Sequence, residues 1–202
     1  MITTIIFDFG DVFINLDKPA TEKELKKLGL PSINKELSDF NKLYEIGKIT
    51  TSDFIDHYQK IIPNTRKEQI VYAWNAILKE FPEKRLDFIK KLSIEKKYKL
   101  LLLSNTNELH INWIQENISF YHDFKSCFDS FYLSYEINLR KPDSDIFQYV
   151  LEEHKLTPEN TLFIDDTEEN TLAAQRLGIK TWNNNPVTED VTELFSIKSD
   201  LF

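Results

Sequence analysis

The chain has 202 residues, 41% hydrophobic and 29% charged, with only four glycines and seven prolines, which excludes a disordered or fibrous protein. Its size allows one domain, or a core with a modest insertion, that buries most of its surface without disulfide or metal staples. The formal net charge of -8 argues against nonspecific binding to nucleic acid or an anionic membrane. An anionic small substrate is still compatible with it, because local charge at a site can oppose the global sign.

Thr4-Ile5-Ile6-Phe7 reads as a buried strand, ended abruptly by Asp8 and then Gly10. From about Pro19 to Glu80 the pattern is helical. One helix over Ala20–Leu28 stops at Gly29, and a second over Ile33–Ile46 stops at Gly47. A third is capped by Thr51-Ser52-Asp53 and broken by Pro63, and a fourth runs over Lys67–Lys79. Pro82 marks the return to a core pattern, with an amphipathic helix carrying Leu86, Phe88, Ile89 and Leu92. Tyr98–Leu103 is a second buried strand, ended by Ser104-Asn105-Thr106-Asn107 and followed by a helix from Glu108. Ser130–Leu133 is a short third strand. Pro142 is positioned to open a helix through Ile146, Phe147, Val150 and Leu151. Leu162–Ile164 is a fourth strand ended by Asp165-Asp166-Thr167. Asn170–Leu177 is a helix closed by Gly178, and Ile179–Trp182 is a fifth strand. The tail after Pro186 gives no assignment.

Cys127 is the single cysteine, so no intrachain disulfide forms. Among Phe124, Phe128 and Phe131 it reads as a buried, inert thiol. Asn117-Ile118-Ser119 matches a glycosylation triplet by chance. No basic-then-apolar leader precedes the first strand and no run reaches membrane-spanning length. We therefore expect a cytoplasmic protein, monomer or homodimer, with no nucleic-acid or membrane partner.

Alternating strands and helices imply an α/β fold: a Rossmann-like parallel sheet with helices on both faces. All carboxyl ends of such a sheet meet along one edge, where ligands bind. Asp8, Ser104-Asn105, Lys141 and Asp165-Asp166 then face one crevice. Each alone has a bland reading as a helix cap or a solvated charge. Together they form a coherent set. Carboxylates from different strands suit Mg²⁺, and a hydroxyl, an amide and an ammonium suit phosphate oxygens. An Asp beside a neutralised phosphoryl group can act as a nucleophile.

In these motifs the chain resembles the haloacid dehalogenase (HAD) superfamily of phosphohydrolases. They read Phe7-Asp8-Phe9-Gly10-Asp11-Val12, Leu103-Ser104-Asn105-Thr106-Asn107, Arg140-Lys141-Pro142, and Ile164-Asp165-Asp166-Thr167-Glu168-Glu169-Asn170. The match covers residues 1–14 and about 82–185. The wording of the second and third motifs, with Tyr44 to Thr50, is similar to the branch holding alpha-D-glucose-1-phosphate phosphatases. The resemblance implies a core of residues 1–14 and 82–202 and a small all-helical cap domain over 15–81. It also implies a Mg²⁺-dependent phosphatase acting on a small phosphorylated metabolite, such as a sugar phosphate, through an aspartyl phosphate. Asp8 would be nucleophile and metal ligand, and Ser104 and Asn105 would hold the phosphoryl oxygens. Lys141 would bridge phosphate and nucleophile. Asp166 would bind the metal, Asp165 would orient it or a bound water, and the Gly10 carbonyl would complete the ligands.

One position departs from the family. The general acid and base two residues after the nucleophile is replaced by Gly10, and such a group is typically worth about a hundred- to ten-thousand-fold in rate. Three outcomes are open: Asp11 substitutes, the leaving group is acidic enough to need no help, or turnover is poor. The last defines the rival reading, a weak or inactive HAD-fold protein that binds phosphometabolites. A 2-haloacid dehalogenase is a weaker alternative, because the Asp165-Asp166 pair suits a metal that dehalogenation does not need. The four histidines show no ligand spacing, and no nucleophile-elbow pattern surrounds Ser104. In the cap, Tyr44, Glu45 and Trp74 are candidate specificity residues, although aromatics at helical spacing are more often core.

Overall fold

The computed structural model describes residues 1–202. Five parallel strands form one sheet: β1 (Thr4–Phe7), β2 (Lys99–Ser104), β3 (Ser130–Leu133), β4 (Thr161–Asp165) and β5 (Lys180–Asn183). Their order is β3-β2-β1-β4-β5, so the first strand is central and the winding reverses beside it. That reversal opens the crevice where parallel sheets bind ligands. The register pairs Phe7 with Ile164 and with Leu102, which brings Asp8 level with Asp165.

Both faces of the sheet are covered, so its strands are apolar without alternation. On one face Ile5, Phe7, Leu100, Leu102, Leu162 and Ile164 pack under α5 (Glu83–Glu95), α6 (Glu108–Asn117) and α7 (Tyr121–Ser126). Phe9, Val12 and Phe13 extend that core beyond β1. On the other face Ile6, Leu101, Leu103 and Phe163 meet α9 (Ser144–Glu153) and α10 (Glu168–Arg176); a single turn, α8 (Ser134–Ile137), follows β3. The tail, left without assignment by the sequence, adds Val191 and Leu194 to the first core. It is fastened by Arg85, which is buried and bonded to Asp190, the Phe13 carbonyl and Asn15.

Four helices are inserted between β1 and α5: α1 (Ala20–Lys27), α2 (Lys35–Glu45), α3 (Thr51–Ile61) and α4 (Lys67–Asn75). They own a separate core of Leu25, Leu37, Tyr44, Phe54, Tyr58, Ile70 and Trp74, which also takes in Leu109 from α6. Several boundaries differ from expectation, α2 starting at Lys35 rather than Ile33 and α10 at Glu168 rather than Asn170 among them. The cap of α3 is Thr50, whose side chain forms a reciprocal box with Asp53. α4 ends at Asn75, because Ile77 to Glu80 pair instead with the incoming linker: Asp17 N–H donates to Ile77 O, Lys79 N–H donates to Asn15 O, and Asn15 N–H donates to Glu80 O. α9 begins at Ser144, two residues past Pro142. No helix is long and apolar enough to cross a membrane.

The insertion is tied to the sheet on one side. Ser134 Oγ donates to Glu45 O at 2.6 Å and Asn138 Nδ2 to Ile46 O at 2.7 Å. Gly47, at φ +66°, lies so close that a Cβ there would stand 2.2 Å from the Tyr135 carbonyl oxygen. Only glycine permits both that backbone and that approach.

Candidate active site

Asp8 follows β1, its N–H donating to Ile164 O at 2.8 Å, so the chain is still in sheet register as the carboxylate enters the crevice. Lys141 arrives on the loop before α9 and is fully buried. Its Nζ lies 2.7 Å from Asp8 Oδ1 and 2.6 Å from Asp165 Oδ2, and 5.3 Å from the centroid of Phe163. Asn105 holds this lysine in place by reciprocal bonds: its Nδ2 donates to Lys141 O and its Oδ1 accepts from Lys141 N–H. The Asn105 side chain therefore locks a catalytic candidate before it touches any ligand. Ser104, the last residue of β2, is buried next to it.

The two acids after β4 are held differently. Asp165 has no exposed surface. Its oxygens accept from Lys141, from Thr167 N–H at 2.8 Å and from Asn170 Nδ2 at 3.0 and 3.1 Å. That leaves little of its lone-pair capacity free. Asp166 has one protein partner, Lys18 Nζ at 2.5 Å. Asn170 belonged to the quoted fourth motif without a role; nothing in the sequence marked Lys18.

Carboxylate oxygens of Asp8, Asp165 and Asp166 lie within 4.8 Å of one another. Octahedral Mg²⁺ takes oxygens at about 2.1 Å, so opposite ligands sit roughly 4.2 Å apart, and the cluster needs only a small contraction. The Gly10 carbonyl oxygen, two residues after Asp8, accepts no hydrogen bond. The donor set thus fits a divalent cation.

Charge crowding sets the ionisation. Burial pushes the Asp8 carboxyl up, Asp165 and Asp166 add to this, and Lys141 opposes it, for a net rise to about 7. Burial also raises Asp166, with Lys18 opposing. Burial pulls Lys141 down, but Asp165 and Asp8 outweigh it and the ammonium is held charged.

At the departing position, a Cβ on Gly10 would stand 2.7 Å from Leu16 Cδ1. The space of the missing side chain is filled by leucine. Asp11, the sequence's candidate substitute, adopts φ +53°. Its Oδ1 accepts from Leu16 N–H at 2.9 Å and its Oδ2 meets Lys18 at 3.1 Å. One oxygen serves the turn and the other pairs with Lys18. Of the cap candidates, Tyr44 and Trp74 are core: Trp74 Nε1 donates to Asn107 Oδ1, and Tyr44 OH accepts from Leu109 N–H. Glu45 is partly exposed, burial pushes its carboxyl up, and it pairs with Arg140 at 3.3 Å, beside Lys141.

A parallel sheet carrying an aspartate after its central strand, a buried lysine against it and an acidic pair on the next strand defines a hydrolase class, and the chain belongs to it. Residues 2–178 match the haloacid dehalogenase-like hydrolase family. Among individual relatives, the D-ribitol-5-phosphate phosphatase of Bacteroides thetaiotaomicron is 30% identical over 190 residues, covering 90% of this chain and 91% of its own. A HAD family enzyme from the same bacterium, crystallised with magnesium and inorganic phosphate, superposes with a TM-score of 0.82 at 35% identity, covering 96% of this chain and 100% of that one. A HAD-like hydrolase of Porphyromonas gingivalis gives 0.83 at 28% identity, over 100% and 98% of the two chains. A 2-haloacid dehalogenase of Pseudomonas syringae shares the fold, with a TM-score of 0.68 at 13% identity.

Proposed function

We propose that this chain is a Mg²⁺-dependent phosphatase of a small phosphorylated polyol or sugar, with a catalytic core of residues 1–14 and 82–202 and a cap of residues 15–81. The observation that carries the reading is the buried Lys141 ammonium spanning Asp8 and Asp165 beside a cluster of hard oxygens. Asp8 is the nucleophile: its carboxylate oxygen attacks phosphorus in line with the departing alkoxide and becomes an aspartyl phosphate, which water then hydrolyses. Lys141 offsets charge on the transferring group and holds Asp8 in position. Ser104 and the backbone at Asn105 receive the phosphoryl oxygens. Asp8, Asp166 and the Gly10 carbonyl would hold Mg²⁺, which supplies further neutralisation of the phosphoryl oxygens. Asp165 anchors Lys141.

The substrate class draws support from the ribitol-5-phosphate phosphatase, a sugar-alcohol phosphate enzyme, rather than from the glucose-1-phosphate branch alone. The test is phosphate release from a panel of esters including ribitol 5-phosphate and glucose 1-phosphate. Release that disappears in Asp8→Asn and with chelator supports the enzyme. A second reading follows from Gly10, whose side-chain space Leu16 fills: a binder with little turnover. Measurable ester binding with no release from any member of the panel would establish that instead.

A further inference from the structure

Lys18 stands outside every motif, yet it completes the acidic pocket. The side chains of Asp166 and Asp11 are only 6% and 9% exposed, whereas that of Lys18, their shared partner, is 57% exposed. Its Nζ reaches Asp166 Oδ2 at 2.5 Å and Asp11 Oδ2 at 3.1 Å. Asp11 has a second anchor in Leu16 N–H, and Asp165 has Lys141, Thr167 and Asn170. Asp166 has Lys18 alone. The lysine is carried by the linker leading into α1, not by a core strand. One half-exposed lysine on a linker is therefore shared by two nearly buried carboxylates.

We propose that Lys18 is a resident counter-cation of the metal pocket: it opposes Mg²⁺ at Asp166 and so sets the affinity of the site for the ion. This rests on Asp166 being a metal ligand. Four carboxylates, Asp8, Asp11, Asp165 and Asp166, face two ammonium groups, Lys18 and Lys141. Lys141 is fully buried between its partners and cannot leave. Lys18 is the cation that gives way or stays as a repelling neighbour when a divalent ion takes Asp166. Either event weakens metal binding, because like charges a few ångströms apart repel even after partial screening. Removing the Lys18 charge leaves a more negative pocket, which attracts a divalent cation more strongly.

Calorimetric titration with Mg²⁺ alone, on wild type, Lys18→Met, Lys18→Gln, Lys18→Arg and Asp166→Asn, tests this. Lys18→Met and Lys18→Gln are expected to bind Mg²⁺ at least roughly threefold tighter, and Lys18→Arg, which keeps the charge, to bind as wild type does. Mg²⁺ should also raise the melting temperature of Lys18→Met by more than that of wild type. Equal or weaker Mg²⁺ binding by both neutral variants overturns the proposal. Asp166→Asn separates the two layers. If it binds Mg²⁺ as wild type does, Asp166 is not a ligand and the functional reading fails. If it loses Mg²⁺ while the neutral Lys18 variants match wild type, only the role given to Lys18 fails.

Discussion

At the residue scale, Asp8 is where charge and burial conflict. Its carboxyl rises from an ordinary 3.8 to about 7, through burial and the neighbouring acids. A raised carboxyl means that the fold favours the protonated form. The associated stability is complete below 3.8 and is lost as pH climbs through about 7. Wild type in chelator should therefore melt at falling temperature across that window, and Asp8→Asn should lack the decline. Thermal melts over a pH series decide it; parallel curves for the two proteins would count against the crowding described. Gly10 carries a second expectation. An Asp there restores a proton donor only if Leu16 yields, and overpacking of this kind costs roughly 1–3 kcal/mol. We expect Gly10→Asp in a Leu16→Ala background to speed hydrolysis of alkyl phosphates by about a hundredfold over Leu16→Ala alone. Steady-state rates on poor leaving groups measure this, and no gain would mean that the acid is not what this site lacks.

At the element scale, α6 is the joint between sheet and insertion. His110 on α6 stacks on Trp74 of α4 at 5.6 Å. Its Nε2 lies 3.3 Å from the Trp74 carbonyl oxygen and its Nδ1 3.1 Å from Asn107 Nδ2. The neutral ring with its proton on Nε2 satisfies both contacts, donating to the carbonyl and accepting from the amide. Burial accordingly pulls His110 down from 6.5 to about 4, against the pull of the Trp74 carbonyl. A lowered histidine contributes stability that is present above 6.5 and lost as pH falls through about 4. Acidification should loosen the insertion before the sheet. Tryptophan fluorescence should show a transition in that window that His110→Gln abolishes. A transition surviving in the variant would place the acid sensitivity elsewhere. The neighbouring ties, Thr51 to Glu108 and Ser134 to Glu45, are not histidine-dependent and should keep the insertion attached.

At the scale of the whole molecule, a divalent cation held by Asp8 and Asp166 would add a second tie between the ends of β1 and β4, where Lys141 already bridges Asp8 to Asp165. Asp8 and Asp166 come from two adjacent strands, and Lys18 from the linker to the insertion. A ligand bound by the folded state alone stabilises it, by about 2.7 kcal/mol at a hundredfold excess over its Kd. Mg²⁺ should raise the melting temperature of wild type, chelator should reverse this, and Asp166→Asn should blunt it. A melting temperature indifferent to Mg²⁺ would remove the cation from the folded protein's chemistry.

The sequence alone determined the sheet and the residues that end its strands. Apolar runs such as Ile5-Ile6-Phe7 and Leu100 to Leu103 are buried on both faces, and a strand so buried has no other pattern to show. Parallel alignment then forces Asp8, Ser104, Asn105, Asp165 and Asp166 onto one edge, so much of the candidate site is legible from local pattern plus topology. What only the tertiary structure decided are the contacts made across the chain. Leu16 fills the space beside Gly10, Asp11 is committed to its turn, Asn105 locks Lys141, and Lys18 reaches Asp166 from 148 residues away in sequence. None of these has a period or a spacing, because each depends on where two backbones pass rather than on how one backbone repeats. The linker at Ile77 to Glu80 shows the same limit: its residues read as helix, and pairing with residues 15–17 overrode that preference.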